Sequence, residues 1–238
     1  MRTSQLHLHM TGFGPFKAIT DNPSATIGAT VALQLAEKST LSVHYEELAV
    51  ELEAVSTYFT SLEETLSQQM DCNGNDERVL LVHLGVHSTE MNGQLRLEVC
   101  GYNELEGNPI DISKPMDVSL ESAFIRNGSN TATATTTLIE QLNTVIQSLE
   151  ERRRGENTND HSEHKGPRWI ISHDAGRYYC NYALYRSLKL QERWNGRVFA
   201  VFVHVVIPEI CGNPSLEEQI SQVRSLILGL VEIVNEKT

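Results

Sequence analysis

Arg197-Val198-Phe199-Ala200-Val201-Phe202-Val203-His204 is an apolar run with a charge at its head and an imidazole at its tail. An unbroken apolar run of this length reads as a strand buried on both faces, the signature of a sheet covered by helices on either side. Two further runs have the same character, Arg78-Val79-Leu80-Leu81-Val82-His83 and the shorter Arg168-Trp169-Ile170-Ile171-Ser172. Working outward, residues 5–10 alternate apolar and polar and 41–48 read as another strand, while 25–38, 51–70, 131–153 and 214–236 have helical patterns. Strands alternating with helices predict an α/β fold.

The chain has 238 residues, 40% of them hydrophobic, enough to bury one substantial core, so a single domain spanning 1–238 is expected. Its formal net charge of -12 argues against a surface that tracks phosphates, so nucleic acid is not an expected partner. Histidines interrupt the first ten residues where a signal peptide needs an apolar stretch, and no later segment is apolar for 18 residues in a row. A cytoplasmic protein without membrane contact is therefore expected. The four cysteines, Cys72, Cys100, Cys180 and Cys211, form no CxxC pair, which fits free thiols in a reducing compartment. Residues 85–117 carry much Gly, Asn and Pro with little periodicity and suggest an excursion from the sheet bearing a short hairpin. Residues 154–166 are polar and charged without apolar anchors and read as a surface insertion.

Three residues could carry chemistry. Cys180 follows a strand and a turn and enters a helical pattern, which puts it in the first turn of a helix. Free amides and the positive end of the helix dipole stabilise a thiolate there and can hold an oxyanion. His204 ends the apolar strand, where functional groups gather in open α/β sheets. Glu98 puts a charge into the alternating stretch Leu95-Arg96-Leu97-Glu98-Val99 and could hold an imidazole in one tautomer. Plainer alternatives stay open at each position: a small buried hydrophobe for Cys180, a hydrogen-bonded structural histidine for His204, a surface glutamate on a strand for Glu98.

Other patterns fail on chemistry. Gly12-Phe13-Gly14 opens a dinucleotide-binding pattern, but Lys17 occupies the third glycine position and Pro15 removes an amide, so no cofactor is expected. His7 with His9, and His161 with His164, lack a helical context and a third ligand, so no metal is expected.

Taken together, Thr11-Gly12-Phe13-Gly14-Pro15-Phe16, Asn22-Pro23-Ser24, His83-Leu84-Gly85-Val86, Leu97-Glu98, Tyr102-Asn103, Asp174-Ala175-Gly176-Arg177-Tyr178-Tyr179-Cys180-Asn181 and Phe202-Val203-His204-Val205 resemble type I pyroglutamyl peptidase, also called pyrrolidone carboxyl peptidase. The motifs occur in that family's order and span Thr11 to Pro208. The resemblance implies a single-domain, three-layer α/β/α sandwich around a twisted mixed sheet, a Cys180–His204–Glu98 triad, and N-terminally pyroglutamylated peptides as substrates. It further implies that Phe13 and Phe16 wall the pyroglutamyl pocket with Asn22 beside them; homo-oligomers occur across that family, and the oligomeric state of this chain stays open. Simple loop anchoring remains the alternative for the two aromatics. Two functional alternatives also stay open: a cysteine amidase of the same fold acting on another amide, and a silent peptide-binding protein. The chain departs from the family in three places. Residues 86–94 lack its glycine-rich, arginine-containing stretch, Lys17 stands where glycine is usual, and Pro208 comes later than in the usual His-Val-Pro.

Overall fold

The computed structural model describes residues 5–38, 41–72, 77–114, 138–156, 168–194 and 196–236. Its centre is built from the apolar runs. Strands β1 (Leu6–Phe13), β3 (Arg78–Val86) and β6 (Val198–Val205) lie in the middle of a six-stranded sheet, and every residue of β6 is buried. β2 (Ser42–Leu48), β4 (Leu95–Glu98) and β5 (Trp169–Ser172) complete the order β2-β1-β3-β6-β4-β5. The first four strands in that order are parallel; β4 pairs antiparallel with β6, and β5 runs parallel to β4. The sheet is therefore mixed.

Helices cover both faces. α1 (Pro23–Lys38), α3 (Leu138–Glu156) and α6 (Leu216–Glu236) pack on one side, α2 (Leu52–Cys72) and α4 (Tyr179–Arg193) on the other, and α5 (Pro208–Cys211) is a single turn after β6. Each long helix buries a stripe at helical spacing, as α6 does with Val223, Leu226, Ile227, Leu230, Ile233 and Val234. Burying a side chain as large as Phe202 or Ile227 contributes roughly 1.5–3 kcal/mol. α1 starts where Asn22 accepts hydrogen bonds from the amide and hydroxyl of Ser24 (3.1 and 2.8 Å), with Pro23 pre-set for the first helical position.

Two expectations are corrected. Residues 85–117 do not simply leave the sheet, because β4 within them is a full sheet member, and among the described residues no hairpin partner accompanies it. Alternation over four residues is too short to mark a sheet strand by itself, and both neighbours of β4 lie more than 70 residues downstream, so no local turn marks it. β1 also continues three residues past Met10, through Gly12 and Phe13. Gly12 serves close approach there, since a Cβ would stand 2.5 Å from the Ser24 carbonyl oxygen at the start of α1. Residues 131–137, expected to be helical, and most of the expected insertion at 154–166 lie outside the described residues; α3 itself runs on to Glu156.

Candidate active site

The carboxyl ends of β1, β3 and β6 meet the N-terminus of α4. The β3–β6 register sets Gly85 beside His204, and the β4–β6 register sets Arg96 opposite His204 and Glu98 opposite Phe202. Side chains alternate along strands, so Gly85, His204 and Glu98 share the face covered by α4. His204 donates its Nδ1–H to Glu98 Oε1 at 2.9 Å, which leaves Nε2 free to exchange a proton. Glu98 is fully buried and His204 is 4% exposed. Cys180 is the second residue of α4, and its sulfur lies over Gly85: a Cβ there would stand 3.0 Å from Sγ and 2.7 Å from the Phe202 ring. A glycine at 85 thus makes the space in which sulfur and imidazole meet.

Burial by itself would push the His204 imidazole down. The charge and hydrogen bond of the Cys180 sulfur, and after them the hydrogen bond and charge of Glu98, outweigh that effect and hold it up at about 9. At neutral pH the ring is an imidazolium between a sulfur and a carboxylate.

The start of α4 is held from below. Asn181, fully buried, accepts the Tyr102 amide at 2.8 Å and donates to the carbonyls of Tyr102 and Glu104 at 2.9 and 2.7 Å. No side-chain hydrogen bond caps the helix at Tyr178, which leaves first-turn amides beside Cys180 without a side-chain cap. Such amides can donate to an anionic oxygen.

In front of Cys180 and His204 opens a cavity of about 300 Å³. Phe13, Phe16, Ile19, Val50, Tyr178 and Tyr179 give it apolar walls, and Asn22, His87, Ser88 and Thr89 contribute polar ones. Phe13 is buried and packs 6.4 Å from the Phe202 ring centroid, whereas Phe16 is half-buried and stands 5.3 Å from Tyr178. Asn22 also lines the cavity, but its amide is engaged in the loop: Nδ2 donates to the Gly14 carbonyl at 2.9 Å and Oδ1 accepts from Ser24. It shapes the wall by fixing the loop between β1 and α1. Glu98 lies behind His204 and does not reach the cavity surface.

The residues that pattern reading left out are His87, Tyr178 and Tyr179. His87 stands edge to face with His204, with ring centroids 5.5 Å apart, and its amide donates to the Val205 carbonyl at 2.9 Å. Burial, then the neighbouring His204 and Arg96, hold His87 below its ordinary value despite Glu90 and Glu98. The signal available was its position just past the end of β3. The loop bearing it is braced where Glu90 takes Arg96 (2.7 Å) and the Asn92 amide (2.7 Å), and where Arg168 reaches the Gly93 carbonyl (2.7 Å). Among the described residues, no group of three His, Cys, Asp or Glu is arranged to hold a metal ion, and no helix is long and apolar enough to cross a membrane.

Fold and site together define an α/β protein with a thiol, an imidazole and a carboxylate aligned at the mouth of an apolar cavity, an arrangement competent for nucleophilic attack on a carbonyl. Among solved structures the fold is that of the pyrrolidone carboxyl peptidases. The chain is similar to the pyrrolidone carboxyl peptidase of Thermococcus litoralis (16% identity, 98% of this chain and 96% of that one, TM-score 0.66). It is similar also to a mutant pyrrolidone carboxyl peptidase of Pyrococcus furiosus (20% identity, 96% and 99%, TM-score 0.65) and to pyroglutamyl peptidase I of Bacillus amyloliquefaciens (16% identity, 94% of each chain, TM-score 0.62). No protein-family model and no curated protein matches the sequence.

Proposed function

We propose that this protein is a cysteine peptidase that removes an N-terminal pyroglutamyl residue from peptides, with Cys180 as nucleophile, His204 as proton carrier and Glu98 as the group that aligns it. The observation that carries the reading is the line Glu98–His204–Cys180 at the edge of a cavity walled by Phe13 and Phe16. A pyroglutamyl ring is flat and has lost the free amine and the side-chain carboxylate of glutamate. Apolar walls and a few hydrogen-bonding groups suit it better than a counter-charge would.

In this mechanism the Cys180 proton already rests on His204 Nε2, and the sulfur attacks the pyroglutamyl carbonyl carbon to form a C–S bond as the carbonyl π bond opens onto oxygen. The oxyanion that develops is held by amides of the first turn of α4. His204 returns the proton to the departing peptide nitrogen as the C–N bond breaks. Water, deprotonated by the now neutral His204, then cleaves the thioester, and pyroglutamate leaves as the C–S bond breaks and the sulfur is released beside the reprotonated His204. Glu98 keeps Nδ1 protonated throughout, so Nε2 alone exchanges. The resemblance to peptidases of the same fold supports this reading, as do the free thiols of Cys180 and Cys211, which suit work in the reducing cytoplasm.

The test is hydrolysis of a pyroglutamyl anilide by wild type and by Cys180→Ala, with prolyl and glutaminyl anilides alongside. Release from the pyroglutamyl substrate alone, abolished in the variant while its circular dichroism is unchanged, is the expected result. Full activity in Cys180→Ala would remove the sulfur from the mechanism, and equal turnover of the three anilides would point instead to a broader amidase.

A further inference from the structure

The chemistry above leaves one charge at the cavity unused. Lys17 lines the cavity and is exposed, with its Nζ 4.7 Å from the centroid of the Phe16 ring and 5.4 Å from that of Tyr178. Its backbone φ of 52° lies in the left-handed region, which glycine adopts without strain and a side chain does not. The residue therefore brings nothing favourable to the turn through its backbone; what it adds is an ammonium held over two rings of the cavity wall. Among the described residues, no carboxylate lies within ion-pair distance of it. The acidic residue on the cavity wall, Asp174, is taken by Arg177 at 2.6 Å, and Arg177 also reaches Glu104 at 3.3 Å. In a chain of net charge -12, the mouth of this cavity thus presents a cation free to meet an anion from solution.

Position decides which part of a substrate it meets. Tyr178 precedes the α4 helix that begins at Tyr179, so it stands two residues ahead of Cys180. Among the described residues that line the cavity, Lys17 is the one lysine or arginine, and it is exposed, so it stands on the open side of the site, where the part of a bound peptide beyond the first ring lies. We propose that Lys17 is a specificity-determining residue that favours substrates carrying a carboxylate on the residue directly after the pyroglutamyl group. This rests on the peptidase reading. The carboxylate can be an acidic side chain or the free C-terminus of a dipeptide, since the ammonium recognises the charge and not its source.

Competition kinetics separate the possibilities. Four substrates are compared at low ionic strength: pyroglutamyl-glutamyl amide against pyroglutamyl-glutaminyl amide, and pyroglutamyl-alanine against its amide. Wild type is expected to prefer the charged member of at least one pair by about two- to fivefold in kcat/KM, mainly through KM, as a partly exposed ion pair allows. The first pair reads the side-chain source and the second the terminal source. The preference should vanish in Lys17→Gln, persist in Lys17→Arg, invert in Lys17→Glu, and flatten for wild type in about 0.5 M NaCl. A purely structural lysine would change both members of a pair alike and leave their ratio fixed. An unchanged ratio in Lys17→Gln, or a wild-type preference insensitive to salt, overturns the proposal while leaving the peptidase reading intact. Cleavage of none of the four overturns both.

Discussion

A fully buried carboxylate with one hydrogen bond is costly unless a cation meets it, and at Glu98 that cation is the His204 imidazolium. The second oxygen, Oε2, has no hydrogen-bond partner among the described residues, which concentrates the interaction on the one imidazole. The consequence is a pH effect of definite sign. His204 is held at about 9, partly by Glu98, and in the proposed mechanism it must be protonated to deliver a proton to the leaving amine. The alkaline limb of kcat/KM is therefore expected near pH 9, with activity lost as pH rises through it. In Glu98→Gln the Cys180 sulfur still raises the imidazole and burial still lowers it, but the contribution of the Glu98 charge is gone. That limb should move to lower pH, and kcat should fall by about 10²-fold or more as the ring loses its tautomer. A pH–rate profile that keeps its limb in the variant would exclude Glu98 from this role. At this scale much was legible beforehand: a charge amid apolar alternation, a cysteine at a helix start, a histidine at a strand end. What the residues alone did not disclose was burial, because whether Glu98 faces solvent or sheet depends on which strands flank it.

Among the elements, the contact between β3 and α4 is the tightest constraint on the site. Gly85 lets α4 come down until the Cys180 sulfur rests beside His204, and an added methyl would meet both that sulfur and the Phe202 ring. Gly85→Ala is expected to cost roughly 1–3 kcal/mol through overpacking, read as a lowered denaturation midpoint. It should reduce kcat by about 10²-fold by displacing the sulfur. Slower alkylation by iodoacetamide of Cys180, in a variant that still folds, would show the displacement directly. The element map was read well where strands are long and buried and poorly where they are short. β1, β3 and β6 announced themselves as apolar runs. β4 did not, because its four residues gain their meaning from β6 and β5, which the chain reaches only later. His87 escaped notice for a related reason: a histidine just past a strand is ordinary until the neighbouring strand puts another imidazole against it.

For the molecule as a whole, two imidazoles outside the site set the behaviour in acid. His83 is fully buried, bonded to Thr11 at 2.8 Å and Ser187 at 2.6 Å, and burial with help from His9 pushes it down to about 3. His9 is pushed down to about 4 by burial, then by His44 and His7. Groups whose folded values lie below the unfolded 6.5 bind fewer protons in the native state, so the contribution of these two to stability is constant above about pH 6.5. Below that it falls as pH falls, by up to about 1.4 kcal/mol per pH unit for each imidazole, until the folded values are passed. Urea midpoints measured from pH 7 down to pH 4 should show this slope, and His83→Gln should make it shallower. A slope that His83→Gln leaves unchanged would assign the acid sensitivity to other groups.

The antiparallel entry of β4 has a further consequence. Glu98 and His204 are 106 residues apart in the chain, and their strands meet in one register only; a slip by a single residue turns the carboxylate to the far side of the sheet. A half-assembled or misthreaded chain thus carries an unarmed thiol, and competence arrives all at once, when two distant segments have found the same rung.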